Sequence, residues 1–89
     1  MNKTYFSASG YYRIEVQGHL SQNWSDRFGA MQLFLPAPQL ENPVAVLQGR
    51  VSDQAELAGI LNSLYELHLT LLSVQYLGLE LLAAFTPGE

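Results

Sequence analysis

The chain has no cysteine, which excludes disulfides, thiolate metal ligands and a cysteine nucleophile and is compatible with any redox compartment. Charge is scarce too. Charged residues make up 13% of the 89 positions against 48% hydrophobic ones, so Gln, Asn, Ser, Thr and exposed apolar groups must complete the surface. That composition favours self-association over a charge-coated monomer. Basic residues are scarcer still: they are Lys3, Arg13, Arg27 and Arg50, and every charged residue after Arg50 (Asp53, Glu56, Glu66, Glu80, Glu89) is acidic. No Lys or Arg cluster is available to displace counterions from phosphates, so no nucleic-acid partner is expected. The anionic second half would instead suit a protein partner with a basic surface. No apolar run approaches the ~20 residues of a membrane span, and the first ten residues carry one lysine and no apolar stretch of the signal-peptide kind. No membrane partner is expected, and the cytoplasm is the default location.

A chain of this length holds one domain, which buries roughly 60–65% of the surface exposed on unfolding. Its stability should be about 5–13 kcal/mol. Residues 1–10 are small and polar and read as a loose arm, 11–77 as the core, and 78–89 as an apolar tail with a frayed end. From Tyr11 apolar and polar residues alternate strictly. Tyr12, Ile14, Val16 and Leu20 point one way, and Tyr11, Arg13, Glu15, Gln17 and His19 the other, the pattern of a strand with one wet face. In Ser21–Gly29, Trp24 and Phe28 stand four apart and so share one face of an α-helix. A single helical turn is expected, its two rings plugging the end of the core, with Gly29 as its stop. Met31–Leu35 reads as a second short strand. Pro36, Pro38 and Pro43 then bracket a loop.

Val44–Val51 is a third strand whose nearly continuous apolar start predicts a central position. Gly49 within it suggests a bulge or a close helix contact. Asp53 and Glu56 have the spacing of a capping box, and both carboxylates suit the positive end of a helix. Leu57, Ile60, Leu61, Leu64, Tyr65 and Leu67 follow at three-and-four spacing as the buried stripe of the main helix. Thr70–Leu77 is a fourth strand with Leu72, Val74 and Tyr76 on one face and Leu71, Ser73, Gln75 and Leu77 on the other.

The order predicts an α+β fold: a ferredoxin-like α/β plait with a reduced first helix, a four-stranded, mainly antiparallel sheet and one main helix on one face. Only residues 21 to 30 separate Leu20 from Met31, fewer than the dozen or so a parallel crossover usually needs. A three-stranded meander followed by the helix and last strand is therefore the alternative.

The segments YRIEVQGHL, the nearby Trp24 and Phe28, and VLQGRVSDQAELAGIL with LYELHLTLLSV together resemble a widespread family of small, uncharacterised bacterial proteins. Its members run Y-R-I-x-V-x-G-x-L, W-S-D-x-F, L-x-G-x-V-x-D-Q-A-x-L-x-G-L-L and D-L-G-L-P-L-L-S-V. The match spans Tyr12 to Val74, and Asp53, Gln54, Ala55, Leu57 and Gly59 carry its most specific part. The resemblance implies no catalytic or ligand residue. Where the family has Gly-Leu-Pro after the helix this chain has His68, Leu69 and Thr70, so a histidine must take the left-handed capping position.

His19 and His68 are the only imidazoles, and no H-x-x-x-H or H-x-x-E-H spacing supports a metal site. No metal or cofactor is expected. His19 reads as a solvent-facing strand residue. Ser21, Ser25 and Asp26 near it match no nucleophile motif and serve better as helix-start and turn residues. No phosphate-binding glycine loop is present. No catalytic residue is assigned, and the expected function is that of a non-enzymatic interaction or regulatory module, homodimeric through the sheet face opposite the helix or through the final strand and tail. Tyr11, Phe34, Val44, Val46, Leu71 and Leu77 are the expected interface on that face. The alternative is a small-ligand sensor binding an apolar or aromatic ligand near Trp24, Phe28, Tyr76 and His19, at or near a dimer interface.

Overall fold

A computed structural model describes residues 9–79. The arm expected over residues 1–10 and the tail expected over 78–89 lie almost entirely outside the described residues. Strands β1 (Gly10–Gln17), β2 (Met31–Phe34), β3 (Val44–Val51) and β4 (Thr70–Gly78) are joined by a 3₁₀ helix (Gln22–Phe28) between β1 and β2 and by α1 (Gln54–Glu66) between β3 and β4. They form one sheet in the order β2-β3-β1-β4, in which every neighbouring pair is antiparallel. Strand β3 lies between β1 and β2, and β1 lies between β3 and β4. The fold is thus the expected α+β plait, with two interleaved split units and a stunted first helix. The meander is ruled out because β1 and β2 are not neighbours.

The short crossover works because β1 ends earlier than its alternation suggests. Gly18 takes φ 135° and donates its N–H to the Pro43 carbonyl at 2.9 Å. That break gives residues 18–30 to the crossover and places His19 and Leu20 beyond the strand. Leu20 still reaches the core, but His19 belongs to a loop.

The core is a single layer between the sheet and its covering helices. Ile14 and Val16 from β1, Met31 and Leu33 from β2, Ala45, Leu47 and Val51 from β3, and Ile60 and Leu64 from α1 are buried around Phe28. No polar side chain is buried among the described residues. Gly49 marks neither a bulge nor a helix contact: its register with Met31 is regular, and the backbone of Ala30–Met31 comes so near that a Cβ would sit 2.7 Å from Met31 Cα.

The helix start forms as read. Asp53 Oδ1 accepts from the Glu56 N–H at 2.9 Å, and Glu56 Oε1 accepts in return from the Ser52 N–H at 2.7 Å. The helix stop is a Schellman motif built on a non-glycine residue. His68 holds φ 65°, its N–H donates to the Tyr65 carbonyl at 2.9 Å, and the Leu69 N–H donates to the Leu64 carbonyl at 3.2 Å.

Two expectations about side chains fail, the first through helical period. The first helix is 3₁₀, at about 3 residues per turn, so side chains four apart diverge by roughly 120°. Phe28 is buried at 0% exposure while Trp24 stays half-buried at the rim. On α1, Ile60 and Leu64 are buried, Leu57, Leu61 and Leu67 are half-buried, and Tyr65 is 75% exposed. The stripe is narrower than its sequence suggests.

Candidate functional site

The sheet face opposite α1 is polar across its centre. Arg13 donates to Glu15 Oε2 at 3.1 Å and to Gln48 Oε1 at 3.0 Å, crossing from β1 to β3. At one end the Arg50 guanidinium lies 5.8 Å from the Tyr11 ring centroid and donates to Ser9 Oγ at 3.2 Å. Beneath this network Val46 is buried, Val44 and Tyr11 are half-buried, and Phe34 is 44% exposed. Leu77, half-buried, stays on this side by alternation from Tyr76. Leu71 does not: it pairs with the core residue Val16, which places it on the helix side. Five of the six residues expected on this face therefore lie on it, and Leu71 does not.

A further run of exposed apolar residues lies on β4, mostly on the same side as α1. Leu71 is 50% exposed, Leu72 47%, Val74 39% and Tyr76 51%, with Leu79 just beyond the strand at 62%. The cause is width. Four strands spaced about 4.8 Å apart span roughly 14 Å between outer axes, and one helix is about 10 Å across. The 3₁₀ helix packs on β2, and α1 packs on β3 and β4, yet the outer strand keeps its apolar side chains exposed. The bulges deepen the effect. Register shifts occur between Glu15 and Val16 and between Tyr11 and Tyr12, each with an extra residue on β4, and the first lets Leu71 and Leu72 both stand on the helix side. Between the shifts, Ser73 to Tyr76 pair regularly with Glu15 to Tyr12.

As an outer strand, β4 presents one row of backbone N–H and C=O groups with no strand beside it among the described residues. Its sequence, TLLSVQYLG, contains no charge and no proline, two of the devices by which edge strands are kept from pairing, although its two bulges are a third. The other edge, β2, is four residues long, as a blunted edge should be.

Trp24, Phe28, Tyr76 and His19 are not brought together. His19 and Trp24 share a surface hollow of about 490 Å³, lined also by Leu35, Pro38 and Pro43. His19 Nε2 lies 3.1 Å from the Glu41 carbonyl oxygen, and Ser21 Oγ accepts from the Asn23 N–H at 3.1 Å, so neither side chain is aligned with the other. On its far side Trp24 borders a cleft of about 120 Å³ with Phe28, Ser63, Glu66 and Leu67, and Arg27 lies 4.7 Å from its ring centroid. Phe28 has no exposed surface to offer a ligand. Tyr76 is on the opposite edge, its ring centroid 5.2 Å from that of Tyr12. Among the described residues, no group of three His, Cys, Asp or Glu side chains could hold a metal, and no helix is long and apolar enough to cross a membrane.

Sequence reasoning had Leu72, Val74 and Tyr76 on one face of the last strand but took that face to be covered by the helix. The signal that could have found the edge was the absence of charge and proline over nine residues.

A family model matches residues 11–75, the span from the second residue of β1 to Gln75 within β4. The chain belongs to the DUF8691 family, a domain of unknown function. No curated protein and no solved structure matches it. The DUF8691 span contains the Arg13–Glu15–Gln48 network and the bare edge as far as Gln75, with Tyr76 to Leu79 just beyond it.

Proposed function

We propose that this DUF8691 protein is a non-enzymatic interaction module that works as a homodimer joined along β4. The single observation that carries the reading is a nine-residue outer strand without charge or proline, whose helix-side residues Leu72, Val74 and Tyr76 are each more than a third exposed. Burying such half-exposed side chains yields on the order of 1 kcal/mol each, and each edge hydrogen bond that replaces one to water adds about 0.5–1.5 kcal/mol. Two copies double both terms, which oppose the entropic cost of association. The chain's net charge of −4 opposes pairing only weakly at this strand, because none of that charge resides on β4. Both carboxylates at the α1 start are engaged in capping, which leaves them poorly placed to recruit a basic partner. A sensor reading is less well supported, since its four residues lie at two opposite edges of the sheet.

The test is the solution mass by light scattering over a concentration series. Wild type should approach twice 9.9 kDa, Val74→Lys should fall to the monomer mass, and Gln32→Lys on the opposite edge should behave as wild type. A wild-type protein that stays monomeric at the highest concentration, with normal folding by circular dichroism, would overturn the proposal.

A further inference from the structure

The side-chain pattern of β4 specifies the register of that pairing, and we infer that two copies join antiparallel about a two-fold axis through Val74, making one continuous eight-stranded sheet. The inference rests on the dimer reading above and goes further by naming the register. Directly opposed residues in an antiparallel pair point to the same face. A symmetric pair must therefore be centred on a residue that faces its own copy, because a centre between residues would set helix-side against open-side chains. The two bulges confine regular geometry to the stretch Ser73–Tyr76, which leaves four centres to compare, and a Tyr76 centre would set Gln75 against Leu77.

Centred on Val74, the strand reads as a palindrome of character: Val74 meets Val74, Leu72 meets Tyr76, and Ser73 meets Gln75. Within Leu72–Tyr76 every apolar residue is matched on the helix side and every polar one on the open side, and cross-strand aromatic and β-branched pairs of this kind are favourable. Centred on Gln75, Ser73 would face Leu77. Centred on Ser73, Leu71 would face Gln75 and Thr70 would face Tyr76. Only the Val74 centre leaves no apolar chain opposite a polar one. The axis stands perpendicular to the sheet, so both copies of α1 lie on the same side, and the two strips that each helix leaves bare adjoin and cover one another.

The cysteine-free chain allows a direct test in the full-length protein. Ser73→Cys, Val74→Cys and Gln75→Cys are made singly, and disulfide-linked dimer is followed under mild oxidation, alone and in the mixture of Ser73→Cys with Gln75→Cys. The Val74 centre places Cβ atoms of opposed residues about 4.5–5.5 Å apart, close to the 3.5–4.5 Å a disulfide needs. Val74→Cys should cross-link at least tenfold faster than either other variant alone. The mixture should give mainly the Ser73→Cys to Gln75→Cys heterodimer. Fastest linkage by Gln75→Cys alone, or no preference for the mixed product, in a protein that is dimeric by mass, would overturn the register while leaving the dimer. Slow linkage in all three together with a monomeric mass would overturn both.

Discussion

Gly49 occupies a regular strand position with no left-handed backbone, so its small size matters for contact alone. An alanine there would place its methyl 2.7 Å from Met31 Cα, 2.8 Å from the Ala30 carbonyl oxygen and 3.3 Å from the Ala30 carbonyl carbon. Ordinary carbon contacts lie at about 3.5–4.0 Å. All three obstructing atoms are backbone, so no rotamer change relieves the clash, and the start of β2 must move outward by roughly 1 Å. That shift loosens Met31 and Leu33, which are 4% and 7% exposed. Overpacking of this kind costs about 1–3 kcal/mol, and the entropy that alanine removes from the unfolded chain returns about 0.4–1 kcal/mol. Gly49→Ala should therefore lose about 1–2 kcal/mol, or about 5–15 °C in Tm for a domain of this size. Gly59, within α1, has nothing within 4 Å of a built Cβ, and Gly59→Ala should gain about 0.5–1 kcal/mol. Urea unfolding of the two variants, followed by Trp24 fluorescence, measures both. Equal or opposite effects would refute the close approach of β2 to β3.

The Schellman stop predicts that His68→Gly stabilises the protein by about 0.5 kcal/mol, because the left-handed penalty of about 1–2 kcal/mol outweighs glycine's extra unfolded-state entropy. His68→Val should cost about 1 kcal/mol in the same unfolding assay. Phe28→Ala should lose about 3–5 kcal/mol as a fully buried aromatic, whereas Trp24→Ala at the rim should lose less than half as much, a difference that an α-helical segment with both rings inward would erase.

What the sequence made legible was local. The Asp53–Glu56 cap, the β3 bounds and the histidine stop follow from residue chemistry within a few positions, and each is present. The plait order also emerged, because a proline-rich loop and a capped helix leave few ways to connect four strands. Period was the first thing hidden: nothing in SQNWSDRF separates a 3₁₀ turn from an α turn, and that choice sends Phe28 into the core and Trp24 to its rim. Width was the second. The apolar residues of β4 were visible, but whether one helix covers the fourth strand depends on how far α1 lies from it, which is a long-range quantity. Tyr76 was named only as a ligand contact and the final strand only as an alternative seam, and Leu72 and Val74 were missed for that reason. Residues Tyr11, Phe34, Val44 and Val46 were chosen by alternation, which gives their face correctly but cannot see the Arg13–Glu15–Gln48 network that overlies it.

Backbone hydrogen exchange measured across a dilution series tests the β4 edge most directly, since it reads which strand another copy covers. Among Ser73 to Tyr76 the amides that point away from β1 should exchange at least tenfold more slowly in concentrated than in dilute protein, while those of Gln32 and Phe34 on the opposite edge stay unchanged. Exchange of the β4 amides at one rate throughout the series would contradict the pairing.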